Sequence, residues 1–130
     1  MKTKKVSLNC LRPNNWYLNI EKVNKIREVW SLRKQDELPF ILVCEIDKVL
    51  AIIDGNTRAF VAWENGVKEL EVRIEDLESI DEFGGLYKKI HRQGPVEGVS
   101  LVEDLSKRLL HPEEYQTKWL NKCQELIQTD

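Results

Sequence analysis

The segment Asp54-Gly55-Asn56-Thr57-Arg58 sets a carboxylate, a glycine, two small polar side chains and a guanidinium side by side. The apolar run 49–53 before it reads as a strand. Ala59, Phe60, Ala62 and Trp63 after it read as the buried side of a short helix. At a strand-to-helix turn of this kind the first helical amides lack intrahelical acceptors and carry partial positive charge, which suits a phosphate. Gly55 can take a positive φ and lets a ligand approach the backbone closely. The amides of Asn56, Thr57 and Arg58 would donate to the anion, and Arg58 could add a bidentate charge-assisted contact. Asp54 would repel a bare phosphate, so a metal ion, a ribose hydroxyl or a substrate hydroxyl is its expected partner. The segment is neither a Walker A loop nor a GxGxxG fingerprint. A plain structural turn, with Asp54 or Asn56 capping the helix and Arg58 paired to a surface carboxylate, fits the same spacing.

Few other residues compete for chemistry. Cys10, Cys44 and Cys123 are odd in number, widely spaced and form no CxxC pair, so they read as buried or incidental thiols. His91 is expected near a helix C-terminus, where a cation is favoured, and His111 at a helix boundary before Pro112. Trp30, Trp63 and Trp119 sit at helical spacing and read as core. Trp16 and Tyr17 follow the Pro13 turn, where packing over a helix is favoured over lining a base pocket. Glu75-Asp76-Leu77-Glu78 lacks the glycine of a calcium loop and reads as a solvated turn.

The elements that must position the turn follow from periodicity. A short strand is expected over 5–10 and a turn over 11–15. Asn19 caps a helix with apolar positions Ile20, Val23, Ile26, Val29 and Trp30, and the Asp36-Glu37-Leu38-Pro39 stretch breaks it. The continuous apolar run 40–44 predicts a strand covered on both faces, turned by Asp47-Lys48 into 49–53 as a hairpin. Asn65-Gly66 closes the helix after the turn, and Val67, Leu70, Val72 and Ile74 mark another strand. Ser79 with Glu82, and Ser100 with Glu103, have capping-box spacing. The first starts a helix with Ile80, Phe83, Leu86, Tyr87 and Ile90, ended by Gly94-Pro95. Pro112 with Glu113 and Glu114 starts a last helix, striped by Tyr115, Trp119, Leu120, Cys123, Leu126 and Ile127.

At 130 residues the chain is long enough to bury a core without disulfides. A net charge of -2 argues against general nucleic-acid binding, which needs a surplus of Lys and Arg. The basic start at Lys2, Lys4 and Lys5 is followed by no apolar signal region, and no stretch approaches membrane-spanning length, so a cytoplasmic protein is expected.

The order of motifs resembles the ParB/sulfiredoxin-like superfamily. There a P-I-x-V strand leads into a G-x-x-R turn and helix, followed by G-x-x-x-I-P-V. Here the corresponding residues are Pro39-Phe40-Ile41-Leu42-Val43, then Gly55 to Arg58, then Gly66-Val67-Lys68-Glu69-Leu70-Glu71-Val72. The chain looks more closely like small bacterial members with an I-D-G-H-T-R-A-F-A-A core. Those share a C-terminal stretch read here as Glu103-Asp104-Leu105, His111-Pro112-Glu113-Glu114-Tyr115, Trp119 and Lys122-Cys123. The broader resemblance spans roughly residues 6 to 74, and the closer one nearly the whole chain.

The resemblance implies an α/β (α+β) fold: a small mixed β-sheet with packed helices over 1–78, plus a C-terminal helical extension over 79–130 packed on the same domain. It also implies a nucleotide at the G-x-x-R turn. Sulfiredoxins carry a nucleophilic Cys in G-C-H-R where this chain has Asn56, so sulfinic acid reduction is not expected. Of the CTP-binding G-E-R-R turn of partition-type members, Gly55 and Arg58 remain. Free-serine kinases of the superfamily have a D-G-H-x-R turn and an early Glu. Asp54, Gly55 and Arg58 match, Asn56 replaces the His, and the Glu falls near Asn15, with Glu21 as a substitute carboxylate.

The expected function is binding of a nucleotide or another phosphate-bearing small molecule at Gly55, Asn56, Thr57 and Arg58, with Mg2+ accompanying a nucleotide. If the protein is an enzyme, phosphoryl transfer to a small molecule is the class, with Asp54 and, more weakly, Glu21 as catalytic carboxylates. The alternative is a non-catalytic interaction module that retains the fold and works through its C-terminal helices, which could also form a homo-oligomer.

Overall fold

The computed structural model describes residues 2–81 and 85–128. Its centre is a mixed five-stranded sheet in the order β1-β6-β4-β5-β2. The strands are β1 (Lys2–Ser7), β2 (Leu11–Pro13), β4 (Ile41–Ile46), β5 (Val49–Asp54) and β6 (Glu69–Ile74), while β3 (Leu18–Asn19) lies outside this sheet. Antiparallel pairing joins β1 to β6 and β4 to β5; parallel pairing joins β4 to β6 and β2 to β5. Asp47 and Lys48 both take positive φ (51° and 69°), the conformation that matches a two-residue hairpin turn to strand twist. The basic start of the chain is thus an edge strand beside the acidic β6, with Lys5 opposite Glu71. Lysines on an edge also discourage pairing with other chains.

Two helices cover one face. In α1 (Ile20–Ser31) the Asn19 side chain accepts from the Glu21 amide at 3.0 Å, the expected cap. In α2 (Asn56–Glu64) Ala59, Phe60, Val61 and Ala62 are buried, and Gly66 at φ 79° follows the helix end. They pack with Ile41, Val43, Ile52 and Val72 in the main core. A smaller cluster on the other face joins Cys44, Ile46 and Ala51 to Leu77 of α3 (Leu77–Ile80). Phe40 departs from the expectation of two-sided cover. It is 45% exposed because the strand begins after it, and the Arg73 guanidinium lies 4.2 Å from its ring centroid.

Several boundaries differ from expectation. The strand predicted over 5–10 starts earlier, as β1, and gives way to a 3-10 turn at Leu8–Cys10, held by the Ser7 hydroxyl accepting from the Asn9 amide. The turn predicted over 11–15 opens with β2, where Leu11 and Pro13 are buried beside β5. Ser79 lies inside α3, its hydroxyl donating to the Asp76 carbonyl; Glu82 and Phe83, its expected cap partner and helix position, lie outside the described residues. Gly94-Pro95 does not end the helix: α4 (Leu86–Glu97) runs through both to Gly98. Proline there forfeits the bond to the His91 carbonyl, within the last turn of the helix. Gly98 at φ 94° supplies the stop, with the Gly98 amide on the Pro95 carbonyl and the Val99 amide on the Gly94 carbonyl. A 3-10 turn, Val102–Lys107, replaces the helix expected from Ser100, and the carboxylate that ties its start is Asp104, which accepts from the Ser100 and Leu101 amides.

The C-terminal segment is bound to the sheet domain by side chains and backbone alike. β3 pairs in parallel with β7 (Leu109–Leu110), and α5 (Pro112–Tyr115) follows. The last helix is not uniform: a π turn, Gln116–Leu120, separates α5 from α6 (Asn121–Gln128). Trp119 and Leu126 are buried in the main core, whereas Leu120 and Ile127 are 39% and 37% exposed. Trp16 is buried against Trp119 with ring centroids 5.3 Å apart, and its indole N–H donates to the Ile90 carbonyl, the packing role expected of it. Trp30 and Trp63 flank that core half-buried. Among the described residues no helix is long and apolar enough to cross a membrane.

Candidate functional site

Gly55 adopts φ +109° and acts as the N-cap of α2, so no side chain caps the helix. The first intrahelical bond runs from the Ala59 amide to the Gly55 carbonyl at 2.9 Å. The amides of Asn56, Thr57 and Arg58 precede that bond, so the helix itself offers them no acceptor. They border a cleft of about 340 Å³ whose wall includes Asp54, Gly55, Asn56, Thr57 and Arg58. The rest of the lining comes mostly from elements that the sequence does not assign to the site. It includes Lys22, Lys25 and Ile26 on α1, Asn15 and Asn19 before it, and Tyr115 from the C-terminal segment. The Asn15 side-chain amide donates to the Tyr115 hydroxyl at 3.3 Å, and burial raises the pKa of that phenol.

The polar side chains of the turn have structural engagements of their own. The Asn56 carboxamide is buried: its oxygen accepts from the Asn14 amide at 3.0 Å, and its nitrogen donates to the Ile52 carbonyl at 3.1 Å. It therefore ties the segment after β2 to the end of β5. Arg58 folds back along the start of β4, with Nη1 donating to the carbonyls of Pro39 (2.8 Å) and Phe40 (3.0 Å). Its Nη2 lies 3.2 Å from Asp54 Oδ2, with the Arg58 side chain 13% and the Asp54 side chain 72% exposed. With its carboxylate this exposed, the pair contributes little stability on its own. Gly55 makes this fold-back possible, because a Cβ there would stand 2.9 Å from Ile41 Cγ1 and 3.1 Å from Arg58 Nη2.

The expected site residues therefore separate. Asp54, Gly55, Asn56, Thr57 and Arg58 share one cleft wall. Glu21 does not join them: it sits exposed in the first turn of α1 and lines no part of the cleft, whereas Asn15 does. The missed lysines carry a signal visible only in three dimensions. They lie about one helical turn apart on α1 and line the same cleft as the turn.

His91 corrects the expectation of a cation at a helix end. It is buried at 1% exposure within α4, and its Nε2 stands 3.2 Å from Arg12 Nη1. Arginine can only donate, so Nε2 accepts and the imidazole is neutral with its proton on Nδ1. Burial first, and the Arg12 charge second, hold the His91 pKa below its ordinary value. His91 Nδ1, Arg12 Nε and Asn14 Oδ1 are buried without a partner among the described residues. Cys44 is buried, with desolvation raising its pKa to about 11; Cys10 is exposed and Cys123 half-buried, and all three are free thiols.

No protein-family model and no curated protein sequence matches the chain. Among solved structures it is similar to protein Atu1540 from Agrobacterium tumefaciens, with a TM-score of 0.57 and 13% sequence identity over 81% of this chain. The aligned part is 61% of the length of Atu1540. It is also similar to sulfiredoxin from Arabidopsis thaliana, with a TM-score of 0.46 and 18% identity over 62% of this chain and 93% of that one. What Atu1540 has in common with this chain is the α/β fold.

Proposed function

We propose that this protein binds a nucleotide or another phosphate-bearing small molecule in the cleft at Asp54-Gly55-Asn56-Thr57-Arg58. The observation that carries the reading is the uncapped N-terminus of α2 opening onto a cleft that Lys22 and Lys25 also line. Amide donors and cations lining one space favour an anion. Asp54 is the lone carboxylate of the cleft wall. It is suited to a Mg2+ ion shared with phosphate oxygens, since that ion is commonly held by one or two carboxylates plus the substrate. A bound phosphate beside Asp54 and a second, hydroxyl-bearing molecule would make phosphoryl transfer the reaction class. The cytoplasm is the compartment in which we place this activity.

The reading is tested by thermal unfolding against ATP, ADP, CTP, GTP and inorganic phosphates, with and without magnesium. A native-state ligand at a hundredfold excess over its Kd adds about 2.7 kcal/mol. A shift that depends on magnesium and loses that dependence in Asp54→Asn supports the proposal; no shift with any anion rejects it. The alternative, an interaction module built on the C-terminal helices, has less to rest on. Trp119 and Leu126 are buried, which leaves Leu120 and Ile127 as the exposed remainder of the stripe.

A further inference from the structure

We infer that Lys22 and Lys25 of α1, not Arg58, read the charge of the ligand, and that the ligand is a small phosphate monoester in its dianionic form. The inference rests on the phosphate-binding reading and deepens it.

Three observations support this division of labour. The Arg58 guanidinium is engaged on the protein itself, by two backbone carbonyls through Nη1 and by Asp54 at Nη2. Turning it toward a ligand would strip Pro39 and Phe40 of a charged donor. Lys22 and Lys25, by contrast, are exposed and have no ion-pair partner among the described residues. Arg27, the next cation along α1, is held by Glu64 at 2.6 Å and lies outside the cleft. Finally, the cleft wall holds three cations against one carboxylate, a surplus of two positive charges on a chain whose net charge is -2.

With no metal bound, a surplus of two matches a phosphate monoester, whose second ionisation lies at about pH 6. A diester carries one charge fewer. At about 340 Å³ the cleft is near the small end of ligand sites. Asn15 and Tyr115, bonded to each other and both lining the cleft, offer an amide and a phenol to the polar body of such an ester rather than an aromatic slot for a base.

The test measures binding by calorimetry with glycerol 3-phosphate, inorganic phosphate, a phosphodiester and ADP. Wild type, Lys22→Gln, Lys25→Gln, the double variant and Arg58→Lys are compared. The monoester should bind best to the wild type, more weakly below pH 6 and at high salt. Each lysine variant should weaken it about tenfold, and the double variant should lose most of the salt dependence. Arg58→Lys should lower the melting temperature while changing affinity less than either lysine variant. Both lysines are exposed, so their variants keep the fold, which circular dichroism checks. If the monoester binds but the lysine variants bind it as tightly as the wild type, the assignment to Lys22 and Lys25 is overturned while the phosphate reading stands. Tighter binding of ADP or the diester overturns the ligand class. Failure of every anion to bind the wild type removes the phosphate reading and this inference together.

Discussion

Gly55 concentrates the physical demands of the turn in one residue. It holds φ +109°, and a Cβ would collide with Ile41 Cγ1 while crowding the Arg58 guanidinium. Gly55→Ala should therefore destabilise the protein by about 1–3 kcal/mol, through left-handed strain and displacement of Arg58. Urea unfolding with an unchanged m-value would register this, and an Ala variant as stable as wild type would show that the turn relaxes freely. Asn56 presents a different case. Its side chain serves both the Asn14 amide and the Ile52 carbonyl, so Asn56→Ala leaves two buried groups unpaired and should cost about 1–3 kcal/mol. Asn56→Asp keeps the acceptor for Asn14 but sets a carboxylate against a carbonyl, and should recover little of that loss. Equal stability of all three forms would mean that water replaces the clamp. Both glycine and asparagine were legible as turn residues from sequence. The function of Asn56 as a tie between distant segments was not, because Asn14 lies 42 positions away.

At the scale of elements, α1, the hairpin and the β5–α2 turn were readable because their determinants are local: the Asn19 cap, the Asp47-Lys48 turn and Gly55. What escaped sequence reading depended on non-local partners. β2 is too short to show periodicity and exists because β5 pairs with it and Leu11 is buried there. α4 continues through Gly94-Pro95 because Gly94, with no Cβ, lets the Val99 carbonyl approach, and because Gly98 rather than Pro95 ends it. The contact between β2 and α4 carries a pH prediction. Arg12 of β2 faces His91, and Arg92 of the same helix is paired to Asp47 of the hairpin turn at 3.0 Å. Two cations thus oppose protonation of His91 and one carboxylate favours it, with burial the largest influence. The unfolded chain takes up the proton near pH 6.5, the folded chain only at lower pH. Between those values the unfolded state binds more protons, so stability is complete above pH 6.5 and falls as pH drops toward the depressed folded pKa. Asp47, held below the usual carboxylate range by Arg92, adds a loss in the same direction at still lower pH. Denaturant midpoints measured from pH 7.5 to 5 should show the decline, and His91→Gln should flatten its upper part. A decline unchanged by His91→Gln would assign it to other groups.

For the whole molecule, the main question is whether the C-terminal segment is an appendage or part of the unit that folds. Trp119 and Leu126 belong to the same core cluster as Val6, Phe60 and Val72, and Trp119 touches both Trp16 and Tyr17. β7 pairs with β3 at the entrance to α1, so the segment also braces the helix that carries Lys22 and Lys25. Tyr115 completes the cleft from that side. These connections predict one cooperative transition: far-UV circular dichroism, reporting backbone, and near-UV signal from the paired tryptophans should lose structure at the same urea concentration. Trp119→Ala should lower stability by about 3–5 kcal/mol by emptying the space against Trp16, and should move both signals together. It should also loosen the cleft, since Asn15 immediately precedes Trp16 and holds the Tyr115 hydroxyl. Ligand affinity would then fall in a variant whose altered residue is not itself part of the cleft wall. A near-UV transition that precedes the far-UV one would instead make the C-terminal segment a separately unfolding layer, and ligand binding would couple to its docking rather than to global stability.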